Sequence, residues 1–269
     1  MVISGVTNLM VGATQAVRAY AGTTEVWSPT PPPTDRYISY ESNDNNIVVP
    51  NVLSGFGANF VSNEYMGGGF CQITFDGTVT AIPDSAFSGC TRLVEIDVPN
   101  TVRTLGSNAF RGCSGLTDVI VYSGITSIGS YCFWDCSGLT SFDIPNTVTT
   151  IDARAFGRCS GLTTVTIPSS VTTIGETAFG VSNLSSVTIP DSVTSLGQQA
   201  FLDCKNLASA TIGTGITALS NYLFGRCTAL SIINYNGTKT QWISITKGAN
   251  WKVNVPATVV HCTDGDVNI

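Results

Sequence analysis

Cysteines are the residues of this chain whose type and spacing could do the most chemistry. The chain has 269 residues and nine cysteines, and six of these share one repeating position, mostly 23 residues apart: Cys90, Cys113, Cys136, Cys159, Cys204 and Cys227. A metal site is disfavoured because no Cys-x-x-Cys pair is present. Neighbouring strands lie about 4.8 Å apart, which suits a disulfide in distance but leaves the two side chains running side by side. We therefore predict a ladder of buried, reduced thiols, with disulfides as the alternative and at least one unpaired thiol because the count is odd.

The other candidates for nucleophile and base form no recognisable catalytic motif. His261 is the only histidine, and Cys262 follows it directly. If this end of the chain is a strand, adjacent side chains point to opposite faces, so a Cys-His dyad is disfavoured. The sequence contains no Gly-x-Ser-x-Gly elbow, no phosphate-binding loop and no His-Glu-x-x-His. We predict no enzymatic activity, no cofactor and no metal.

A repeating unit positions these residues along the chain. Seven phenylalanines recur every 22 or 23 residues: Phe87, Phe110, Phe133, Phe156, Phe179, Phe201 and Phe224. A leucine column accompanies them, and the segment after each leucine alternates, as in Val165 and Ile167, which is the periodicity of a strand. A fixed period of about 20 to 29 residues predicts a solenoid, in which each unit buries its apolar face against its neighbours.

The second half of each unit predicts a connecting turn. A short apolar pair, such as Val171 and Ile174, precedes a glycine and a small residue beside the repeating phenylalanine. We expect a turn of α- or 3₁₀-helix here, on the far side from the strand. The fifth unit is one residue shorter between Phe179 and Leu184 and lacks the cysteine. We place this deletion in the turn, because connecting segments tolerate length changes best.

The pattern Leu-x-x-Ile-x-Ile-Pro-x-x-Val-Thr-x-Ile-Gly-x-x-Ala-Phe-x-x-Cys resembles the BspA-type class of leucine-rich repeats, of the kind found in gut bacteria and their phages. The resemblance covers about seven phased units and continues into the flanking segments. It implies a β-rich, curved, right-handed solenoid of 23-residue repeats with N- and C-terminal caps. It also implies adhesion or recognition by a repeat surface, with no catalytic residues to transfer.

We divide the chain into five parts. Residues 1–27 are a small β-like module that could act as an anchor, and residues 28–35 are a proline-rich linker, which is expected to be semi-rigid. An N-terminal cap follows over 36–78, seven repeats over 79–235 and a C-terminal cap over 236–269. The alternative for the first 27 residues is a hairpin that packs on the solenoid.

The outward strand positions carry the candidate binding residues. The first units are acidic, with Glu95, Asp97, Asp118 and Asp143, and the later units are hydroxylated, with Thr164, Thr166 and Thr188. The acids could contact a cation or a basic partner, and the threonines could make sugar-like hydrogen bonds. The simpler alternative is a solvated face. Glycosidase chemistry by paired carboxylates is disfavoured because nothing encloses a substrate there.

A second exposed column also consists of threonines. It comprises Thr80, Thr126, Thr149, Thr172, Thr194 and Thr217, broken once by Arg103. Regular threonine arrays occur on ice-binding solenoids. We favour the ordinary interpretation, because threonine is a preferred residue on exposed strand faces.

Composition limits the partners. Charged residues make up 11% of the chain, against about 25% in a typical soluble domain. The net charge of −6 and the pI of about 4.6 argue against binding to nucleic acid or to an anionic membrane. No apolar run approaches the roughly 18 to 20 residues that a bilayer span needs, so we predict no membrane insertion.

The N-terminal sequence bears on localisation. It lacks the basic and apolar regions of a signal peptide, so either an export signal has been removed or the protein leaves its cell by another route, such as a phage particle. The small module and stiff linker ahead of the repeats favour the second option. We therefore predict a non-catalytic recognition protein on a virion surface. Its repeat face would contact a host glycan, mucin or surface protein, and residues 1–27 would contact other virion proteins. The alternatives are a secreted bacterial adhesin whose signal has been removed, extracellular or on the bacterial cell surface, and a purely structural virion decoration protein.

Overall fold

Two pairs of short strands precede the repeat array. The computed structural model describes residues 10–11, 14–15, 18–21, 24–27 and 34–269. β1 (Met10–Val11) pairs antiparallel with β2 (Thr14–Gln15), and β3 (Arg18–Ala21) pairs antiparallel with β4 (Thr24–Trp27). Apart from residues 34 and 35, the linker predicted over 28–35 lies outside the described residues. The division of the chain into five parts stays a prediction.

An antiparallel sheet leads into the repeats. After a 3₁₀ turn (Thr34–Arg36), the strands β5 (Tyr37–Ser42), β6 (Phe60–Gly67) and β7 (Phe70–Phe75) pair in the order β6, β7, β5. Burial alternates along β5, with Ile38 and Tyr40 in the core. The other edge of β5 pairs antiparallel with the strand of the first repeat, so this N-terminal sheet and the repeats are continuous.

Each repeat contributes one strand to the main face and one to a second face. The main-face strands are β9 (Leu93–Asp97), β11 (Asp118–Ile120), β13 (Ser141–Asp143), β15 (Thr164–Thr166), β17 (Ser186–Ile189), β19 (Ser209–Ile212) and β21 (Ile232–Tyr235). The second-face strands are β8 (Ala81–Ile82), β10 (Thr104–Leu105), β12 (Ser127–Ile128), β14 (Thr150–Ile151), β16 (Thr173–Ile174), β18 (Ser195–Leu196) and β20 (Ala218–Leu219). Paired repeat strands run parallel with partners one repeat apart, as for Glu95 and Asp118. The result is a β-solenoid of about eight turns with a spacing of about 23 residues, which confirms the predicted fold class.

The phenylalanine column forms the centre of the solenoid. All seven rings are fully buried, and consecutive rings stack with centroids 5.2 to 5.7 Å apart. Because the repeats are in register, each ring fills the same space in its own turn of the solenoid. The column is therefore buried between adjacent repeats.

The far side of each repeat is a turn, and the prediction of a helical turn there was wrong. Cys90 N–H donates to the Phe87 carbonyl within the turn, whereas Phe87 N–H donates to the Ala109 carbonyl of the next repeat at 2.7 Å. A helix would require consecutive N–H groups to bond within the same segment. The turns also contain left-handed residues, such as Tyr131 (φ 58°) and Asp135 (φ 63°). We call the stacked turns the turn ridge; it comprises residues 84–89, 107–112, 130–135, 153–158, 176–181, 198–203 and 221–226.

The N-terminal segment also closes the turn ridge. Every backbone-to-backbone hydrogen bond between turns of the ridge runs from an N–H to a carbonyl of the following repeat, so the carbonyls of the first turn have no preceding repeat to bond them. Asn51 N–H donates to the Ala86 carbonyl at 2.7 Å, and the Asn51 side-chain amide donates to the carbonyls of Ser85 (3.1 Å) and Ser88 (2.6 Å). Asn51 therefore supplies hydrogen bonds to the first turn that a preceding repeat would otherwise make.

A mixed segment closes the C-terminal end. α1 (Lys239–Ser244), the one α-helix of the described residues, begins with a capping box between Thr238 and Gln241 and buries Trp242. β22 (Thr246–Lys247) extends the second face by pairing with β20. β23 (Val259–Cys262) pairs parallel with β21, and β24 (Gly265–Asn268) folds back antiparallel on β23. This reversal of chain direction ends the parallel stack.

Candidate recognition surface

Several hydroxylated residues of the main face are exposed to solvent. Thr164, Thr166 and Thr188 are exposed, whereas the alternate positions Val187 and Ile189 are buried. The pleat of each strand explains this, because successive side chains point to opposite sides of the sheet. Pairing aligns Thr188 with Thr211 of the next repeat and Thr211 with Asn234 of the one after, so polar side chains form a row across β17, β19 and β21.

The acidic residues divide into an exposed pair and a partly buried pair. Asp118 and Asp143 are exposed, as predicted for a solvated face, whereas Glu95 and Asp97 are partly buried. Of the four acids predicted at outward strand positions, only two are therefore exposed. β5 pairs with β9 and brings the N-terminal sheet against the first repeat. The spacing of the repeats in the sequence does not predict this contact with the N-terminal sheet.

The ionisation of Asp97 is altered by its surroundings on this face. Burial raises the pKa of the Asp97 carboxyl to about 6, and a hydrogen bond with the Tyr122 side chain opposes part of that rise. The pKa of Tyr122 is raised in turn, by burial and by the nearby Asp97 charge. Asp97 therefore changes its charge close to neutral pH.

Strand pairing adds Glu41 to the acidic side chains. The register aligns Glu41 of β5 with Glu95, and Glu95 with Asp118, so three carboxylates occupy one row over three neighbouring strands. Adjacent strands in a sheet are about 4.8 Å apart. The repeat pattern contains no signal for this position, because β5 lies outside the repeats and runs in the opposite direction.

The cysteine column packs inside the repeats. All nine cysteines are free thiols, and five of the six column members are buried; Cys90, in the first repeat, is only partly buried, which corrects the prediction for that residue. The buried thiols donate to carbonyls of the preceding repeat, as from Cys113 Sγ to Phe87 and from Cys136 Sγ to Phe110, both at 3.0 Å. Burial raises the pKa of both thiols, so neither is an activated nucleophile.

The gap in this column is filled by a buried serine. Ser182 takes the cysteine position of the fifth repeat, and its Oγ lies 3.3 Å from Cys204 Sγ. The one-residue deletion therefore falls after the buried position. Within the described residues, no group of three or more His, Cys, Asp or Glu side chains could hold a metal ion.

The remaining candidates lie in separate places. His261 Nδ1 is 2.9 Å from Asp266 Oδ1 across the β23–β24 hairpin, so the hydrogen-bond partner of the histidine is a carboxylate rather than the neighbouring thiol. The threonine column is exposed along the second face. Its hydroxyls bond weakly to the preceding repeat, as from Thr149 Oγ1 to the Thr126 carbonyl at 3.3 Å.

The repeat geometry corresponds to a known family. The family model for the BspA type leucine rich repeat region, with six copies, matches residues 58–180 and 126–246, together more than half of the chain. The chain belongs to the BspA-type leucine-rich repeat family. Membership of this family is consistent with a binding or adhesion role for the repeats. No curated protein matches the chain.

Several solved structures are similar to this BspA-type chain. A leucine-rich repeat protein from Bacteroides ovatus has a TM-score of 0.51 and 19% identity over 68% of this chain and 60% of that one. A T. pallidum leucine rich repeat protein has a TM-score of 0.46 and 26% identity, over 65% of this chain and 70% of that one. A leucine rich cell surface protein from Faecalibacterium prausnitzii has a TM-score of 0.37 and 21% identity, over 61% and 65%. The Bacteroides similarity supports the fold alone, and the match spans less than two thirds of that protein.

Membrane-spanning helices do not occur in the described part of the chain. No helix there combines the length and the apolar character that crossing a bilayer requires.

Proposed function

We propose that this BspA-type solenoid is a non-catalytic recognition protein whose main face contacts a glycan, mucin or surface protein of a host. One observation carries the proposal. The outward side chains of the repeats, among them Thr164, Thr166 and Thr188, are exposed on stacked parallel strands, with β13 and β15 paired in one register and β17 and β19 in another. A rigid array of this kind suits an extended ligand, because the binding groups need no ordering when the ligand arrives.

The chemistry of the face suggests two kinds of contact. Hydroxyl groups both donate and accept hydrogen bonds, which matches the hydroxyls of a neutral sugar. Asp118 and Asp143 are exposed carboxylates and suit a basic partner. Salt should weaken only the second contact, since exposed charges are screened over about 10 Å at 0.1 M ionic strength.

Matched variants can test the hydroxylated face. Thr164→Arg with Thr188→Arg places bulk and charge on the main face, whereas Thr149→Arg with Thr172→Arg makes the same change on the second face; all four positions are exposed. We expect the first pair to reduce capture on immobilised mucin about tenfold or more, as loss of a few contacts implies, and the second pair to bind like the parent. Equal binding by both pairs would exclude the main face.

The acidic contact needs a separate measurement. Asp118→Asn with Asp143→Asn should lower capture of a basic surface protein at low salt and leave mucin capture unchanged. The change spares Glu95 and Asp97, which are partly buried and whose replacement would also affect folding. Unchanged low-salt binding would show that these acids form only a solvated face.

We propose display on a virion surface, with the bacterial cell surface as the alternative. A composition with few charges and an exposed hydroxylated face suits either setting. Mass spectrometry of purified phage particles and of peptides released from intact bacteria by protease distinguishes them. Detection in particles with no ligand captured by the main face would instead support a decoration role.

A further inference from the structure

The turn ridge carries a side-chain cluster that the proposed function does not use. Over three consecutive turns, three arginines surround two neighbouring aromatic side chains. We call this group the arginine–aromatic cluster; it consists of Arg111, Tyr131, Trp134, Arg154 and Arg158. It lies on the turns, away from the outward positions of the main face.

The cluster is held by stacking between repeats. The Arg111 and Arg154 guanidinium carbons lie 5.8 and 5.3 Å from the centre of the Tyr131 ring, and these arginines come from the turns before and after it. Trp134 meets Tyr131 edge to face with centroids 5.5 Å apart, and Arg158 lies 5.9 Å from the Trp134 ring. Cation–π contacts of this kind hold guanidinium groups in fixed positions.

A glycine provides room for the tryptophan. A Cβ at Gly157 would lie 2.5 Å from the six-membered ring of Trp134, so the indole rests on bare backbone of the following turn. Both Trp134 and Tyr131 are only partly buried, so part of each ring faces solvent. The result is an aromatic surface bordered by positive charge.

The charge of the cluster is opposite to that of the whole chain. The three turns 107–112, 130–135 and 153–158 contain three arginines and one carboxylate, in a protein whose net charge is −6. Arg158 lies 3.7 Å from Asp135, and Arg154 pairs with Glu176 at 2.5 Å. Arg111 makes no ion pair with another described residue; besides its contact with the Tyr131 ring, its guanidinium has one long hydrogen bond, 3.5 Å to the Asn108 side chain. A guanidinium group has five N–H donors, so most of those of Arg111 are available.

We propose that the arginine–aromatic cluster binds a negatively charged polysaccharide. The arginines would hold carboxylate or sulfate groups in paired hydrogen bonds, which the guanidinium geometry favours. The exposed parts of Trp134 and Tyr131 would pack against the apolar face of a sugar ring, as amphipathic aromatic side chains do at wet interfaces. An acidic peptide could use the charges, but it has no ring to place on the aromatic pair.

A polymer fits better than a single sugar because two further basic side chains lie beyond the cluster, past a turn (176–181) that carries Glu176 and no basic side chain. Lys205 and Arg226 line a shallow cavity of about 320 Å³ three and four repeats beyond Trp134 and share one carboxylate, Asp203, at 3.8 Å each. An extended polyanion lying along the ridge would reach these cations as well.

Affinity electrophoresis of the full chain tests the proposal. The gels contain polygalacturonate as a carboxylated chain, heparin as a sulfated chain, or dextran as a neutral one. We expect retardation by at least one polyanion and none by dextran. Arg111→Gln with Arg158→Gln should weaken that binding about tenfold or more, since it removes charge-assisted hydrogen bonds. Arg92→Gln with Arg103→Gln, two exposed arginines off the ridge, makes the same charge change and should bind like the parent.

Three results would overturn the proposal. The first is no retardation by either polyanion, and the second is equal weakening by the two double variants. The third is equally strong retardation by poly-glutamate together with full polysaccharide binding by Trp134→Ala, since the cluster would then accept acidic peptides without its aromatic part. The variant Arg111→Gln with Arg158→Gln should melt like the parent, because both arginines are exposed. The main-face variant Thr164→Arg with Thr188→Arg should keep polyanion binding, so failure here is distinguishable from failure of the proposed function.

Discussion

Phe156 shows how the fold depends on single side chains. Its ring lies 5.3 Å from Phe133 and 5.4 Å from Phe179, and both neighbours belong to the same column. Phe156→Ala should lower the free energy of unfolding by roughly 3 to 5 kcal/mol, through lost transfer energy and the cavity left behind. Urea denaturation measures this. Ile243→Ala, at a side chain 68% exposed, is the control and should change stability by less than about 0.5 kcal/mol. A Phe156→Ala variant as stable as the parent would contradict the stacked core.

Asp97 gives a pH-dependent prediction. Its folded pKa of about 6 lies above the ordinary value, so the stability that the neutral carboxyl provides is present below about pH 4 and is lost as pH rises through 6. Asp97→Asn keeps an acceptor for Tyr122 and removes the charge. It should raise stability at pH 7.5 by roughly 1 to 3 kcal/mol, since one pKa unit is about 1.4 kcal/mol, and should match the parent at pH 4.

Thermal melts of both proteins from pH 4 to pH 8 check this. Asp143→Asn is the matched control, because Asp143 is an exposed outward residue of the same sheet face. A constant difference between Asp97→Asn and the parent over this range would rule out the raised pKa.

At the scale of the element, the first turn depends on a side chain from outside the repeats. Asn51→Ala removes the two amide hydrogen bonds to the Ser85 and Ser88 carbonyls. We expect a loss of about 1 kcal/mol, the typical contribution of such bonds. Asn146→Ala, at an exposed turn position, should have no measurable effect. Hydrogen exchange of the Phe87 turn would localise the change; faster exchange only in distant repeats would contradict the capping role.

The turns also explain why local sequence rules were insufficient at this scale. Glycine is absent from many of the left-handed positions, which hold residues such as Tyr131, Arg154 and Gln199. A left-handed conformation costs such a residue roughly 1 to 3 kcal/mol unless its surroundings hold it. The bonds from each turn to the next supply that support. Local backbone propensity does not include these bonds between turns, so it suggested a helical turn instead.

At the scale of the whole molecule, a shortened chain tests the role of the N-terminal residues. Asp35 accepts a hydrogen bond from Val79 N–H at 2.6 Å and one from the Thr78 hydroxyl at 2.9 Å, so a chain that begins at residue 34 keeps these contacts. We expect it to melt like the parent and to lose assembly into a particle or oligomer if residues 1–27 are an anchor. Light scattering and co-sedimentation measure assembly. A large drop in melting temperature would instead assign these residues to the cap.

The period and the alternation in the sequence determined the solenoid, the buried phenylalanine column and the exposure of Thr164, because these follow from contacts between identical positions of neighbouring repeats. The tertiary structure decided what surrounds the repeats. Glu41 meets Glu95 through an antiparallel register that no repeat spacing encodes. The same pairing of β5 with β9 places the N-terminal sheet beside Asp97 and shields its carboxyl from solvent. The repeat spacing places Arg111 and Trp134 at equivalent positions of neighbouring repeats. The contact of Arg111 with the Tyr131 ring, however, depends on the geometry of the turns, and long-range backbone hydrogen bonds set that geometry.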